Sequence, residues 1–258
     1  MRIYRIEHAG QPRFARAISD TELTLLTAAP WLSGSVTQER VALADARLLA
    51  PVEPSKIVCV GRNYAAHAKE LGNQVPQEPL LFLKPPSALL APGAAIEIPQ
   101  ASERVEHEAE IGVVIGQRLR QATPAQALSA VFGITAVNDV TARDLQKREV
   151  QFTRAKGFDT FCPVGPAIET DLDLTQLQVS ARVNGAQRQH GHVSQMIFGL
   201  GSLLSFISHV MTLEPGDLVS TGTPEGVGPL AQGDSVEIEV TGVGVLRNGV
   251  TKRPDAAV

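Results

Sequence analysis

The sequence predicts a mixed fold in which short β-strands predominate and short helices connect them. Apolar, β-branched residues occur in short runs bounded by glycine or proline, as in residues 56–61, and such runs are typical of buried strands. Helix signals are fewer; the clearest is Thr123-Pro124-Ala125-Gln126, a capping box with proline at the first helical position. At 258 residues, 43% of them hydrophobic, the chain can form one large domain, or a core domain with a small appendage.

Composition and charge argue against several classes of function. The formal net charge of −4 disfavours a general nucleic-acid-binding surface. No apolar stretch approaches the length of about 20 residues that a membrane span needs, and residues 1–5 lack the apolar core of a signal peptide. We therefore expect a cytoplasmic protein with no membrane or nucleic-acid partner. Cys59 and Cys162 lie in apolar contexts and are predicted to be buried free thiols.

Residues 1–50 are predicted to form a small N-terminal domain that contains β-strands. Its patterns favour two strands and one helix, at residues 3–6, 14–18 and 23–29. No cluster of His, Asp or Glu occurs there, so we assign this domain no chemistry. Pro51 and Pro54 exclude a helix between them, and the main domain is predicted to span residues 51–258.

A strand at residues 57–61 opens the main domain, and a short helix is predicted after it, capped by Asn63 and ending at Gly72. His67 and Glu70 are neighbours on one face of that helix, because residues three apart lie about one turn from each other. A carboxylate beside an imidazole orients the ring and supports its use as a general base. A surface ion pair is the alternative interpretation.

Two lysines stand in apolar surroundings. Lys84 directly follows the apolar run of residues 80–83, and two prolines end that strand. It is either a substrate-binding cation or a lysine at the rim of its strand. Lys156 lies in a mostly apolar segment that contains glycine, residues 154–161.

Three acidic residues adjoin two predicted core strands. Glu108 and Glu110 come just before or within the strand of residues 111–115, and residues two apart on a strand project to the same face. Asp139 ends the next apolar run, residues 134–140, so a neighbouring strand would deliver a third carboxylate. Hard divalent cations prefer such oxygen ligands, which predicts a metal site; a solvated strand edge is the alternative.

The remaining predicted elements follow in order. They are a helix after the cap at residues 141–144, a hairpin turn at Asn184-Gly185, an amphipathic helix over residues 194–211 and an antiparallel strand over residues 236–240. The glycine-rich loop of residues 222–228 is similar to an anion-binding backbone nest, but it lacks the strand–loop–helix context of a P-loop.

Taken together and in order, these segments resemble the fumarylacetoacetate hydrolase family over roughly residues 55–249. The motifs that carry the resemblance are Val60-Gly61-Arg62-Asn63-Tyr64 with His67 and Glu70, Phe82-Leu83-Lys84-Pro85, His107-Glu108-Ala109-Glu110, Asn138-Asp139-Val140-Thr141-Ala142-Arg143-Asp144 with Gln146, Ala155-Lys156-Gly157-Phe158-Asp159, Asn184-Gly185, Pro215-Gly216-Asp217 and Gly222-Thr223-Pro224-Glu225-Gly226-Val227-Gly228. Each motif alone is weak, and the ordered set is specific.

The resemblance implies an α+β fold: a β-rich roll of packed mixed sheets with short helices, usually assembled as a homodimer. It implies Mg²⁺ or Mn²⁺ as the cofactor. The site residues that it implies are the metal ligands Glu108, Glu110 and Asp139, the catalytic residues His67, Glu70 and Lys156, and the substrate-binding residues Arg143, Gln146, Thr223 and Lys84.

The implied activity is cleavage of C–C bonds in small 2-oxo or 2,4-dioxo acids, by acylpyruvate hydrolysis, oxaloacetate decarboxylation or both. Residues 59–70 and 81–85 are most similar to the acylpyruvate hydrolase and oxaloacetate decarboxylase branch of the family. The N-terminal domain also occurs in members named for homoprotocatechuate breakdown. Two alternatives therefore stay open, a 2-hydroxyhepta-2,4-diene-1,7-dioate isomerase or decarboxylase and a non-catalytic metabolite-binding module.

The helix that carries His67 is also predicted to act as a lid. It is short, so it is marginally stable without packing, and its polar flank contains Gly72 and Pro79. Closure of residues 63–79 would bring His67 to a bound substrate and exclude water.

Overall fold

Short strands dominate the structure, as the sequence predicts. The computed structural model describes residues 1–253. The strands in that range are, in chain order, β1 (Arg2–His8), β2 (Gln11–Ala17), β3 (Glu22–Leu26), β4 (Val36–Ala42), β5 (Arg47–Leu48), β6 (Ile57–Gly61), β7 (Leu80–Lys84), β8 (Leu89–Leu90), β9 (Ala95–Ile98), β10 (Val105–His107), β11 (Ala109–Ile115), β12 (Val131–Asn138), β13 (Thr141–Ala142), β14 (Cys162–Glu169), β15 (Gln178–Val183), β16 (Ala186–His192), β17 (Leu218–Ser220), β18 (Gly228–Pro229), β19 (Ser235–Val240) and β20 (Gly244–Lys252).

The helices are short and lie between strands. They are α1 (Ala65–Glu70), α2 (Pro124–Ser129), α3 (Arg143–Arg148), α4 (Thr153–Lys156) and α5 (Leu200–Val210), with 3-10 turns at Pro30–Leu32, Leu43–Asp45, Pro86–Ala88 and Val193–Gln195. The capping box predicted for α2 is confirmed, because Thr123 and Gln126 each bond the backbone of the other. None of the helices within residues 1–253 has the length and hydropathy needed to cross a membrane.

The helix predicted at residues 23–29 is wrong. Strand β3 occupies most of that range and pairs with β2 on one side and β4 on the other. Leu23 and Leu25 are completely buried, so pairing and burial outweigh the intrinsic helix preference of leucine.

The helix predicted over residues 194–211 begins only at Leu200. The preceding 3-10 turn ends at Gln195, and Met196 has an extended backbone that forms an isolated bridge with Tyr64. This bridge ties the start of the helical segment to the residues that lead into α1.

The largest sheet has twelve strands and carries the acidic residues. Its order is β4-β3-β2-β1-β14-β12-β11-β17-β6-β7, with β5 beside β1 and β8 beside β14. Strand β11 pairs antiparallel with both β12 and β17, and every residue of β11 is buried. The continuous apolar run in its sequence follows from burial on both faces.

A five-stranded sheet, in the order β16-β15-β19-β20-β9, packs against the largest sheet. The hairpin turn predicted at Asn184-Gly185 joins β15 to β16 and is confirmed. The main core lies between the two sheets and includes Ile111, Val113, Val179 and Ile238. A third, three-stranded sheet has the order β13-β10-β18. The predicted β-rich architecture of packed mixed sheets with short helices is therefore confirmed.

The N-terminal strands continue the sheet that carries the site. Strand β1 pairs with β14 through Arg2 opposite Glu169 and Ile3 opposite Ile168. The same strands form most of a small apolar cluster, which includes Tyr4 together with Ala167 of β14. Because one sheet crosses the boundary predicted at residues 50 and 51, the division into two domains stays a prediction.

Candidate metal and active site

A cavity of about 270 Å³ lies where the ends of several strands meet helices α1, α3 and α4. Its lining includes the three acidic residues, together with His67 and Lys156. The structure thus brings together side chains that are far apart in the sequence.

The register of β11 and β12 places the three carboxylates side by side. Ala109 is opposite Asn138 in this antiparallel pair, so the residues that flank them, Glu108 and Asp139, are neighbours. The Asp139 backbone N–H donates to the Glu108 carbonyl at 2.9 Å. One oxygen from each of Glu108, Glu110 and Asp139 can be chosen so that all lie within 4.8 Å of one another.

Two lysines and one arginine share the negative charge of Glu108 and Asp139. The Lys156 ammonium donates to Glu108 Oε2 at 2.7 Å and to Asp139 Oδ2 at 2.5 Å. Lys84 Nζ donates to Asp139 Oδ1 at 2.5 Å, and Arg143 donates to Glu108 Oε1. Burial alone would raise the pKa of Glu108, but Lys156 and Arg143 outweigh burial and hold that pKa well below its usual range.

Glu110 differs from the other two acids, because it has no ion-pair partner among residues 1–253. Its Oε2 accepts from the Ser220 hydroxyl at 2.5 Å and from the Gly222 backbone N–H at 2.8 Å. Burial, with the nearby Asp139 and Glu108 carboxylates, raises the pKa of Glu110 to about 8. Three clustered carboxylates that offer only oxygen donors fit a hard divalent cation.

His67 and Glu70 form the predicted pair. His67 Nδ1 lies 3.2 Å from Glu70 Oε2, and the His67 side chain is only 5% exposed. The other oxygen of Glu70 accepts from the Gly226 backbone N–H at 3.0 Å. Glu70 therefore orients the imidazole and ties α1 to the loop of residues 222–228. Since Nδ1 faces Glu70, Nε2 is the ring nitrogen left to exchange a proton with a ligand.

Asn63 does not cap α1, so this part of the prediction is wrong. Tyr64 occupies the N-cap position, without a side-chain capping bond. The Asn63 amide instead donates to the Phe198 carbonyl at 3.1 Å and to the Thr221 carbonyl at 2.8 Å, and it accepts from the Phe198 N–H at 2.9 Å. Gly222 packs closely on Asn63 with a φ of 102°, and a Cβ there would lie 2.6 Å from Asn63 Cβ.

Arg143 and Gln146 line the cavity on α3. The Arg143 guanidinium is already held, because it donates to Glu106 Oε2 at 2.7 Å and also to Glu108 and Gln146. Burial alone would lower the pKa of Arg143, but Glu108 and Glu106 raise it above its ordinary value. The structure therefore places Arg143 as a cation that positions the Glu108 carboxylate and borders the cavity.

Lys84 and Thr223 have less access to a ligand than the prediction requires. Lys84 is 1% exposed and is not among the residues that line the cavity; besides Asp139, its ammonium bonds the Val140 carbonyl at 3.0 Å. Thr223 does line the cavity, but its hydroxyl donates to the Ala109 carbonyl at 2.9 Å and accepts from Gln189 Nε2 at 2.8 Å. Both contacts support strand β11, which carries Glu110.

Sequence reasoning missed Gln189, which fixes the backbone between the two glutamates. The Gln189 Oε1 atom accepts from the Ala109 N–H at 2.9 Å and lies 2.9 Å from His107 Nδ1. Gln189 lies on β16, in a polar stretch whose sequence pattern does not predict burial. The structure nevertheless leaves only 1% of this residue exposed. Glu106 belongs to the acidic run before β11, but its pairing with Arg143 was not predicted.

The fold and this pocket define a strand-rich protein with a candidate divalent-metal centre. A family profile described as fumarylacetoacetate (FAA) hydrolase, C-terminal, matches residues 56–251, and a second profile, described as Rv2993c-like, N-terminal, matches residues 1–51. The chain belongs to the fumarylacetoacetate hydrolase family, as its motifs predict.

The chain is also similar to known proteins and solved structures over most of its length. The chain is 46% identical over 227 residues to protein Rv2993c of Mycobacterium tuberculosis, covering 87% of this chain and 86% of the relative. It is 46% identical over 195 residues to a mitochondrial oxaloacetate decarboxylase of Dictyostelium discoideum, covering 73% and 89%. A crystal structure named 2-hydroxyhepta-2,4-diene-1,7-dioate isomerase, from Mycobacterium marinum, superposes with a TM-score of 0.91 at 42% identity, covering 99% of this chain and 100% of that one.

Proposed function

We propose that this protein is a Mg²⁺- or Mn²⁺-dependent enzyme that cleaves a C–C bond in small 2-oxo or 2,4-dioxo acids. Decarboxylation of oxaloacetate and hydrolysis of acylpyruvates are its two candidate reactions. The observation that carries the proposal is the convergence of Glu108, Glu110 and Asp139 in one cavity with His67 and Lys156. The similarity to an oxaloacetate decarboxylase supports the choice of substrate class.

The three carboxylates would hold the cation. Bound there, a divalent cation would polarise the 2-oxo group of the substrate and stabilise the negative charge that develops on its oxygen during C–C cleavage. Lys156 holds Glu108 and Asp139 in place through its two short bonds. Burial alone would lower the pKa of Lys156, but Asp139 and Glu108 raise it, so the ammonium stays charged beside an anionic substrate.

Hydrolysis needs a base that decarboxylation does not need. An acylpyruvate is cleaved only if water attacks the acyl carbonyl, and His67 Nε2 is the group in the cavity best arranged to accept the proton of that water. Glu70 fixes the ring by its contact with Nδ1. Oxaloacetate instead loses carbon dioxide directly, and afterwards requires one proton at the carbon that lost it.

The second candidate is an isomerase that acts on 2-hydroxyhepta-2,4-diene-1,7-dioate. The same His67–Glu70 pair can move a proton between carbon atoms without water attack, and the similarity to the structure named as that isomerase favours this alternative. A non-catalytic metabolite-binding module is the least supported alternative, because it does not require an oriented imidazole beside the acidic cluster.

A substrate panel with product mass analysis separates these functions. The metal-free protein and the protein loaded with Mg²⁺ or Mn²⁺ would each be given oxaloacetate, an acylpyruvate and the dienedioate. The proposal predicts metal-dependent formation of pyruvate from at least one of the first two. Rearrangement of the dienedioate with no cleavage of the others would favour the isomerase, and turnover of none of them would refute an enzymatic role on these acids.

A further inference from the structure

Two cations on the pocket wall have no role in the chemistry described above. Arg62 and Lys147 line the same cavity as the acidic cluster. They belong to different elements, because Arg62 lies between β6 and α1 and Lys147 lies on α3. Among residues 1–253, neither side chain has an ion-pair partner, whereas Lys156 and Arg143 are both bonded to carboxylates.

The backbone holds Arg62 in a fixed and uncommon conformation. Its φ is 58°, in the left-handed region that residues other than glycine seldom adopt. The next residue, Asn63, is fully buried, and its side chain makes three hydrogen bonds to Phe198 and Thr221. Such conformations persist only where surrounding contacts enforce them, and they occur often at ligand sites. The hydrogen bonds of Asn63 therefore fix the backbone position from which the Arg62 side chain extends.

Once a divalent cation is bound, the positive charge at the cavity wall exceeds what a ligand with one negative charge can balance. Arg62, Arg143, Lys147 and Lys156 line the cavity against three carboxylates. A divalent cation adds two further positive charges. A ligand with a second anionic group would match this field better than a monocarboxylate, and a guanidinium is the side chain that best pairs with a carboxylate.

We propose that Arg62, assisted by Lys147, binds a second carboxylate at the far end of the substrate, so that the site selects 2-oxo diacids over 2-oxo monoacids. This inference rests on the proposed function, which places the 2-oxo acid end of the substrate at the acidic cluster. Arg62 and Lys147, the two lining cations without an ion pair among residues 1–253, are then the groups available to the opposite end. Arg62 is in this sense a residue that determines specificity.

Two five-carbon acids provide matched probes, because 2-oxoglutarate and 2-oxopentanoate differ only by a terminal carboxylate in place of a methyl group. Neither is a 3-oxo acid, so neither loses carbon dioxide by the oxaloacetate route. Calorimetry in Mg²⁺ would compare the wild type with Arg62→Gln and Lys147→Gln. The control is Arg148→Gln, which removes the same charge from an exposed position on α3 that does not line the cavity.

The wild type should bind the diacid about tenfold or more tightly than the monoacid, as expected for one charge-assisted hydrogen-bonded pair. Arg62→Gln should weaken diacid binding about tenfold and monoacid binding less than about twofold, Lys147→Gln should show a smaller loss, and Arg148→Gln should change neither. Arg62→Lys should recover part of the diacid affinity. Equal losses for both acids, or no diacid preference in the wild type, would overturn the inference.

Oxalate separates this inference from the proposed function. It has the paired oxygens of a 2-oxo acid but no distant group, so Arg62→Gln should still bind it, which also shows that the variant is folded. If the wild type binds oxalate with Mg²⁺ but does not distinguish the two five-carbon acids, only the role of Arg62 is refuted. If the wild type does not bind oxalate in the presence of Mg²⁺, the proposed function fails, and this inference fails with it.

Discussion

At the scale of single residues, Gln189 determines much of the geometry of the site although it does not line the cavity. Its amide donates to the Thr223 hydroxyl and the Pro224 carbonyl, each at 2.8 Å. Its carbonyl must then be the acceptor that faces His107, so His107 carries its proton on Nδ1. Burial lowers the pKa of His107, which favours the neutral ring that this arrangement requires.

Gln189→Leu is expected to lower the free energy of unfolding by roughly 2–4 kcal/mol, because buried donors on His107 and Ala109 lose their acceptor. Metal affinity should fall with it, since the backbone between the two glutamates loses its support. Denaturant unfolding and metal calorimetry would measure both effects. Gln187→Leu is the control, because Gln187 is exposed on the same strand. An unchanged unfolding midpoint in Gln189→Leu would contradict this role.

Metal binding should release a proton near neutral pH. In the metal-free protein the raised pKa of about 8 keeps the Glu110 carboxyl mostly protonated at pH 7, whereas a metal ligand must be ionised. Because the folded pKa lies above the unfolded value, this group stabilises the metal-free fold below the unfolded pKa, and that contribution is lost as the pH rises toward 8.

Calorimetry in buffers of different ionisation enthalpy measures this proton. We expect about one proton per cation at pH 6.5 and close to none at pH 9, so metal affinity should rise with pH and level off above about pH 8. Melting temperatures of the metal-free protein should fall over the same range in which proton release is lost. Proton release that does not vary between the two pH values would show that Glu110 is ionised before the cation binds.

The imidazole separates the two proposed reactions. His67→Ala should lower kcat/KM for acylpyruvate hydrolysis about 10²–10⁴-fold, as is typical when a general base is removed, and should affect oxaloacetate decarboxylation less. Both reactions would be measured on one preparation. His190→Ala is the control, since His190 is exposed and outside the cavity. Equal falls in kcat/KM for both reactions would contradict a role for His67 in activating water. They would indicate instead that His67 acts in closure of α1 over the substrate or in general proton transfer.

At the scale of elements, the Glu70 carboxylate joins α1 to the loop of residues 222–228. Glu70 contacts His67 on its own helix and the Gly226 N–H across the cavity edge. The helix has only six residues, so it depends on such contacts for stability. The residues before it are anchored by Asn63, whereas residues 71–79 form neither helix nor strand.

Hydrogen exchange tests whether α1 acts as a lid. With oxalate and Mg²⁺, protection should increase from Ala65 to Pro79, because closure over a ligand stabilises the helix and its polar flank. Asn63 and Tyr64 should be protected in both states, since Asn63 is fixed by its side-chain bonds. Equal protection of residues 65–79 with and without ligand would indicate a static helix.

Elements were predictable where a local signal matched the tertiary environment. The capping box at Thr123 and the hairpin at Asn184-Gly185 were found because a few adjacent residues determine them. Strand β3 was mistaken for a helix because it is stabilised by pairing with β2 and β4. The local sequence does not reveal these neighbouring strands. Asn63 was mistaken for a cap because its partners lie more than 130 residues away.

At the scale of the whole molecule, the site is built from the end of one pair of strands and completed from distant parts of the chain. Strand alternation and two apolar runs singled out Glu108, Glu110 and Asp139, and the family resemblance then favoured a metal site over a solvated strand edge. The same reasoning could not find Gln189, which reaches Ala109 from a strand of a different sheet. Partners of this kind depend on how sheets pack, and sequence periodicity does not encode that packing.

The protein is expected to form a homodimer, a prediction that rests on the family resemblance. Light scattering at micromolar concentration would measure the mass in solution, with and without Mg²⁺. A mass of twice 27.5 kDa agrees with the prediction. A monomer mass in both conditions would rule out the homodimer.

The most direct test of the account is metal binding itself. Calorimetric titration with Mn²⁺ should show one site in the wild type, and Glu108→Ala and Asp139→Ala should each weaken it about a hundredfold or more, since even loss of residues behind a metal ligand costs 10–100-fold in affinity. Asp173→Ala, at an exposed carboxylate, should have no effect. If either Glu108→Ala or Asp139→Ala binds Mn²⁺ as tightly as the wild type, the three carboxylates are not the metal site, and the proposed chemistry fails with them.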